Sequence, residues 1–178
     1  MKFDDSCYTQ QRRNSAKWNK TAKAGNDFFF EEDSVDQWTG FTDDQKDALY
    51  RYTSGSSYLT EPLRAIKGHY YAYDGRPIGQ DIENATVALN KCALKKDAWL
   101  KRDDNPWCVE YVFQIPDLNA FKADPSKLVG MTGIDRSFIS CASCKESYFG
   151  TKDVVYNIYC PKGTKAIYLC TKSLETCP

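Results

Sequence analysis

The sequence predicts an α+β fold, in which a group of helices is followed by β-structure. Apolar residues recur at helical spacing as far as Leu94. Beyond Leu94 the apolar runs become short, rich in β-branched and aromatic side chains, and separated by turns. Helices and strands are therefore grouped along the chain, which argues against an alternating α/β fold with a parallel sheet. With 178 residues, of which 42% are hydrophobic, the chain is long and apolar enough to bury a core.

The charge balance excludes some classes of partner. The 24 basic residues equal the 24 acidic ones, so the net charge gives no electrostatic argument for binding nucleic acid or an anionic membrane. No apolar run approaches the roughly 20 residues that a membrane-spanning helix needs. The first residues, MKFDDSCYTQQRR, carry two aspartates where a signal peptide has its apolar centre. Export by a non-standard route, or association with a virion, stays open.

The chain is predicted to form one domain with an N-terminal arm. Residues 1–40 are polar and contain two glycines, and we expect them to dock on a body formed by residues 41–178. In that body, Thr42 and Gln45 have the spacing of a capping box, which predicts a helix ending near residues 54–56. Thr60 is predicted to cap a second helix and Asp81 a third.

The remaining predicted elements are short strands, apart from one helix over residues 118–123. Each strand prediction depends on β-branched and aromatic residues or on alternation of buried and exposed positions. The predicted strands cover residues 98–101, 108–115, 137–141 and 154–159, and a β-rich run over residues 165–170 follows the turn at 161–163.

A combination of polar, aromatic and basic side chains suggests a nucleotide site. Ser140 ends a predicted strand and is followed by Tyr148, Phe149 and Lys152. An aromatic face attracts a cationic ring, and a lysine attracts an anionic group. Two plainer interpretations stay open, because Ser140 can simply terminate a strand and Phe149 can anchor its own loop.

Three segments, taken in order, resemble the ADP-ribosyltransferase exoenzyme family, in particular a branch associated with phage minor-capsid proteins. The first is similar to a helix that ends in a polar-Pro-Leu-Arg sequence, and the second to the strand that carries the family's NAD-binding arginine. The third is similar to the serine-motif strand with the loop and strand pair beyond it. They read DALYRYTSGSSYLTEPLR at 47–64, DAWLKRDD at 97–104, and FISCAS at 138–143 continuing through YFGTKDVVYNIYCPKGTKAIYL at 148–169.

The resemblance implies a fold, a substrate and four binding residues. The fold is two β-sheets packed around a NAD cleft, with N-terminal helices, and NAD is a substrate with no metal required. Arg102 matches the arginine that contacts the NAD phosphate and ribose, which suits a permanently charged group with paired donors. Ser140 matches the first serine of a Ser-Thr-Ser motif, Phe149 the aromatic residue that stacks on nicotinamide, and Lys152 a basic residue near the pyrophosphate.

The chain departs from the family pattern in three places. Asp103 stands where the family has glycine, and we expect its carboxylate to compete for the Arg102 guanidinium. Cys141 and Ala142 replace the rest of the serine motif. No Glu-x-Glu follows Leu169, where the family's catalytic glutamate stabilises the developing positive charge. Glu175 is the sole acidic residue of the segment 171–178 and the remaining candidate.

The resemblance therefore implies a protein mono-ADP-ribosyltransferase domain that modifies a host protein but whose transfer activity is impaired. The chain is then either a fragment or a degenerate relative. A non-enzymatic alternative is a phage-particle interaction domain on the same fold. A third hypothesis is a zinc module, because Cys141 and Cys144 form a CxxC and Cys160 and Cys170 lie downstream.

Overall fold

The computed structural model describes residues 40–64, 78–142, 152–167 and 169. The chain forms two compact units. The helical unit contains the described residues of 40–98 and 160–169, and the sheet unit contains those of 99–159. The predicted arm lies outside the described residues apart from Gly40. Among the described helices, none combines the length and the apolar character needed to cross a bilayer.

The helical unit contains three helices, α1 (Asp43–Ser54), α2 (Ser57–Leu63) and α3 (Ile78–Asn90). The predicted capping box is confirmed at the start of α1. The backbone N–H of Gln45 donates to Thr42 Oγ1 at 3.3 Å, and the backbone N–H of Thr42 donates to Gln45 Oε1 at 3.2 Å. Helix α1 packs against both other helices and buries the side chains of Ala48, Leu49 and Tyr52.

Two predicted caps in this unit are wrong. Thr60 lies inside α2, which begins at Ser57. Asp81 lies inside α3, which begins three residues earlier, and its carboxylate is buried. It accepts bonds from Arg51 Nε at 2.9 Å and Arg51 Nη2 at 2.8 Å. The Asp81 side chain therefore forms a long-range ion pair with Arg51 and does not form the helix cap that the local sequence pattern had predicted.

The sheet unit is built around strands β1 (Ala98–Asp104) and β2 (Val154–Cys160), which pair in one two-stranded sheet. Between them lie α4 (Pro106–Phe113), α5 (Leu118–Ala123) and a 3₁₀ turn over Pro125–Leu128. The predictions of β1, α5 and β2 are confirmed, and β1 is longer than expected. Arg102, a predicted site residue, therefore lies within β1.

The predicted strand over residues 108–115 is wrong, because α4 occupies most of it. Its run of valines and aromatics favours a strand locally, but the buried residues recur with helical spacing. The first helical residue is a proline, which suits a helix start. The buried cluster that α4 forms with the 3₁₀ turn comprises Val109, Val112, Phe113 and Leu128, with Val154 and Tyr156 of β2 packed against it.

The predicted helices at the start of the chain are confirmed, but two further helices and a 3₁₀ turn lie between the strands, so the described residues form a mixed fold with a small sheet. The prediction of a strand over residues 165–170 is wrong for 165–167 and 169, which have no strand conformation. Residues 137–141 are also not a strand, although Ala142 forms an isolated antiparallel bridge with Lys101. The described residues contain one sheet, so the implied pair of packed sheets stays a prediction.

Candidate functional site

The pairing of β1 with β2 fixes which side chains are neighbours. The rings of Trp99 and Tyr159 lie with their centroids 5.3 Å apart. Further along, the hydroxyl of Tyr156 lies in the field of both Arg102 and Asp104. As the residue number rises along β1, the number of the neighbouring residue on β2 therefore falls, so the two strands are antiparallel. In this register Arg102 lies opposite Tyr156, and Lys101 lies opposite Asn157.

The serine segment lies along the other edge of β1. Lys101 and Ala142 exchange both backbone hydrogen bonds, with N···O distances of 2.9 Å and 2.7 Å. The guanidinium of Arg102 then reaches across and donates from Nη1 to the backbone carbonyl of Ser140 at 3.0 Å. The structure therefore brings together two predicted site residues that are 38 positions apart in the sequence.

Alternation along β1 divides its polar side chains between two faces of the sheet. We name them by their cations. The Arg102 face carries Arg102 and Asp104 from β1 and Tyr156 from β2. The Lys101 face carries Trp99, Lys101 and Asp103 from β1 and Val155, Asn157 and Tyr159 from β2. Two ion pairs between residues i and i+2 support this division, at 2.7 Å for Arg102–Asp104 and 3.1 Å for Lys101–Asp103.

The expected competition for Arg102 comes from a different carboxylate. Asp103 faces Lys101, and it is Asp104 Oδ2 that accepts from Arg102 Nε. The other oxygen, Asp104 Oδ1, accepts from the Asn105 amide at 3.0 Å and from Cys108 Sγ at 2.8 Å. These bonds fix the carboxylate at the start of α4, so it orients the guanidinium.

Arg102 is less fully engaged than the structural arginine of the helical unit. Arg51 uses two nitrogens on two oxygens of Asp81, the bidentate arrangement that saturates one edge of the fork. Arg102 gives Asp104 a single bond, and its Nη2 donates to none of the described residues. The guanidinium of Arg102 therefore keeps N–H donors that can bind an anion with two oxygens.

Lys101 is a candidate that the sequence analysis did not consider. Its ammonium lies 3.1 Å from Asp103 Oδ2, but the contact lacks hydrogen-bond alignment, since that buried oxygen has no hydrogen-bond donor. Lys101 and its bridge partner Ala142 project to the same side. Alternation along β1 was the signal that would have identified Lys101.

Two buried polar atoms on neighbouring β2 residues have no hydrogen-bond partner, Tyr156 Oη and Asn157 Oδ1. The first lies on the Arg102 face. Burial raises the pKa of Tyr156, and the Asp104 carboxylate raises it further. The second lies on the Lys101 face. Buried polar atoms are usually paired, so each unpaired one calls for an explanation.

The other predicted site residues are not assembled by the described residues. Lys152 is exposed and precedes β2, while Phe149 and Glu175 lie outside the described part of the chain. Of the proposed zinc ligands, Cys144 and Cys170 also lie outside it. Within the described ranges, no three His, Cys, Asp or Glu side chains converge as metal ligands. A cavity of about 220 Å³ beside α5 is apolar and contains none of the predicted residues.

Comparison with known proteins adds a family and a fold. The family model described as ADP-ribosyltransferase exoenzyme matches residues 13–176. A search of curated proteins gave no match.

Solved structures similar to this chain include Plx2a, an ADP-ribosyltransferase toxin from Paenibacillus larvae. It has a TM-score of 0.67 and 18% identity over 84% of this chain and 76% of that one. The Clostridium limosum C3 exoenzyme has a TM-score of 0.65 and 20% identity over 85% and 76%. An ADP-ribosyltransferase from Clostridium botulinum has a TM-score of 0.60 and 19% identity over 84% and 78%. At these identities the likeness establishes a shared fold.

Proposed function

This chain belongs to the ADP-ribosyltransferase exoenzyme family, and on that premise we propose that it is an NAD-dependent protein mono-ADP-ribosyltransferase domain. The family uses NAD as its substrate. In the proposed reaction the bond between nicotinamide and ribose breaks, and ADP-ribose passes to a side chain of a host protein. The assignment to a branch associated with phage minor-capsid proteins stays a prediction.

The observation that carries the proposal is the hydrogen bond from Arg102 to the carbonyl of Ser140. It supports a single binding region along one edge of β1, to which the arginine and serine motifs both contribute. Arg102 is proposed to grip the pyrophosphate through its uncommitted Nη2, and the Ser140 hydroxyl to orient the nicotinamide ribose. Lys101, on the opposite face, is a second candidate for the phosphate contact.

The remaining roles follow the sequence prediction. Phe149 is proposed to stack on the pyridinium ring, an interaction worth about 0.5–2 kcal/mol, and Lys152 to approach the pyrophosphate. A cleft between two packed sheets is part of the same proposal.

Calorimetric titration with NAD tests the proposal and decides between the two cations. Removing a charged donor to phosphate costs about 1.5–3 kcal/mol, so we expect the responsible variant to raise the Kd at least about tenfold. A large effect of Arg102→Ala places the phosphate on the Arg102 face, and a large effect of Lys101→Ala places it on the Lys101 face. Lys122→Ala, which removes an exposed lysine from α5, is the control for net charge.

The outcomes separate the competing functions. Equal losses in all three variants would indicate unspecific attraction of an anion. Absence of NAD binding by the unmodified protein would contradict the proposal and favour the non-enzymatic interaction domain.

Transfer is a separate question from binding. We propose that labelling of host proteins from radiolabelled NAD is weak, because no Glu-x-Glu was recognised after Leu169 and Glu175 is the remaining candidate. Robust labelling that is abolished by Glu175→Gln would instead assign the catalytic role to that residue. Robust labelling that survives the substitution would show that another carboxylate performs it.

A further inference from the structure

The amide oxygen of Asn157 is buried without a hydrogen bond, although the residue as a whole is half-buried. Its Oδ1 has no partner, and the position lies in the middle of β2, where the backbone is fixed by the sheet. An amide carries two donors and an acceptor, and in either orientation it presents both kinds of group. Holding such a group unpaired in the free protein costs stability, which is a known mark of residues retained for binding.

The place of Asn157 on the sheet distinguishes it from the other unpaired group. Tyr156 packs its ring on the buried cluster of α4, so its ring has a structural reason to be there. Asn157 projects to the Lys101 face, between Val155 and Tyr159, which are 40% and 49% exposed. The polar side chain is thus flanked on its own strand by residues that reach solvent.

The neighbour across the sheet does not satisfy the amide. Lys101 lies opposite Asn157 in the antiparallel register, but its ammonium is directed to Asp103 at 3.1 Å. The Asp103 oxygen at that contact is itself without a hydrogen-bond donor. On the Lys101 face, Asp103 Oδ2 is ion-paired with Lys101 without a hydrogen bond, whereas Asn157 Oδ1 has no partner.

We propose that Asn157 is a ligand-contacting residue of this face, whose amide oxygen accepts a hydrogen bond from an N–H or O–H donor of bound NAD. The inference rests on the proposed function in the form in which Lys101, the second candidate named above, is the cation that meets the phosphates. NAD carries such donors in three places, namely the carboxamide of nicotinamide, the hydroxyls of its riboses and the amino group of adenine. Lys101 would face the negatively charged phosphates, and Asn157 the neutral donor beside them.

Asn157→Leu provides the test, because leucine has a similar volume and no polar atom. We expect the Kd for NAD to rise about 3- to 10-fold, the range for loss of one neutral hydrogen bond. The thermal midpoint should stay the same or rise, since an unpaired buried group has been removed. Weaker binding without lost stability is a combination that a merely structural residue does not produce.

Tyr156→Phe is the matched control, because it removes the other unpaired polar atom of β2 from the opposite face. It should leave the Kd for NAD unchanged. Titration with ADP-ribose, which lacks nicotinamide, identifies the donor. A loss for NAD alone assigns the contact to the carboxamide, and a loss for both ligands assigns it to a ribose hydroxyl or to the adenine amino group; either result supports the proposal.

Two results would overturn it, and they are distinguishable. If the unmodified protein binds NAD and Asn157→Leu binds it equally well, Asn157 makes no ligand contact while the proposed function stands. If the unmodified protein binds neither NAD nor ADP-ribose, the proposed function fails and the role of Asn157 fails with it.

Discussion

The hydroxyl of Tyr156 is the clearest single-residue liability of the sheet unit. It is buried beside Asp104 without a hydrogen bond. We expect Tyr156→Phe to leave the free energy of unfolding at pH 7 unchanged or to raise it by up to about 1 kcal/mol. Denaturant unfolding of the two proteins at pH 7 measures the difference.

The same residue gives a pH dependence whose sign follows from its raised pKa. Above pH about 10 the tyrosine ionises in the unfolded chain but stays protonated in the folded one. Its contribution to stability is therefore fully present below that pH and is lost as the pH rises further. We expect the thermal midpoint of the unmodified protein to fall more steeply above pH 10 than that of Tyr156→Phe. The exposed Tyr50 supplies the control through Tyr50→Phe, and equal slopes for all three proteins would refute the assignment.

At the scale of residues, the sequence predicted the proximity of Arg102 and Ser140 better than it predicted their individual contacts. The resemblance predicted that Arg102 and Ser140 belong to one region, and the hydrogen bond between them supports this. The partner of Arg102 was assigned to Asp103 instead of Asp104, although strand alternation places residues i and i+2 on one side. The unpaired state of Asn157 could not be predicted, because it depends on a register between segments 56 residues apart, as in the Lys101–Asn157 pair.

At the scale of elements, the helical unit depends on the ion pair between α1 and α3. Asp81 is almost fully buried and accepts bonds from Arg51 and from the Tyr58 hydroxyl at 2.5 Å. We expect Asp81→Ala to lower the free energy of unfolding by about 3 kcal/mol, because the largely buried guanidinium of Arg51 loses both of its close hydrogen bonds and keeps only the longer contact to Asp47. Urea unfolding followed by circular dichroism gives the value.

Asp47→Ala is the matched control for this loss. Asp47 is the second carboxylate near Arg51, at 4.0 Å, and its side chain is 52% exposed. A surface pair of this kind contributes about 0–1 kcal/mol, so the variant should stay close to the unmodified protein. Similar losses from both variants would mean that the buried geometry of Asp81 has no special role.

The approach of Gly133 to α4 is a second feature of this scale. A Cβ at Gly133 would lie 2.7 Å from both Val112 Cγ1 and the Val112 carbonyl oxygen. Because one of these atoms is backbone, the helix itself would have to shift, and we expect Gly133→Ala to cost about 1–3 kcal/mol. In α3, by contrast, Gly79→Ala meets open space and should stabilise the protein by about 0.5–1 kcal/mol. Thermal unfolding of both variants tests the pair, and a neutral Gly133→Ala would contradict the contact.

Elements with a local signal were predictable, and those decided by packing were not. The capping box at Thr42 and the helix Leu118–Ala123 carry their information within a few residues. Helix α4 was mistaken for a strand because its residue types favour β-structure, while its burial pattern favours a helix. The segment folds as a helix because the buried side chains of α4 then pack in one cluster with Leu128 and Val154.

At the scale of the whole molecule, the family was predictable from three dispersed segments. The match over residues 13–176 confirms the family, and the similarity to solved exoenzymes supports the fold. The two compact units have no counterpart in the sequence analysis, which assigned residues 41–178 to one domain. The unit boundaries fall at Ala98 and Cys160, at the ends of β1 and β2, where no change in composition marks them.

Ligand binding gives the prediction that belongs to this scale. A ligand that binds the folded state alone stabilises it by about 2.7 kcal/mol at a concentration one hundred times its Kd. For a chain of 178 residues this corresponds to a rise of about 5–10 °C in the thermal midpoint. We therefore expect NAD at that excess to raise the midpoint by this amount in differential scanning calorimetry.

The double variant Lys101→Ala/Arg102→Ala is the control that ties this shift to the sheet unit. It removes both cations of β1, one from each face, so the result does not depend on which of them meets the phosphate. The midpoint of the double variant should not respond to NAD. An equal rise of the thermal midpoint in the double variant would show that NAD binds elsewhere in the chain. The rise depends on the affinity for NAD, so it should disappear when the residues that bind NAD are removed.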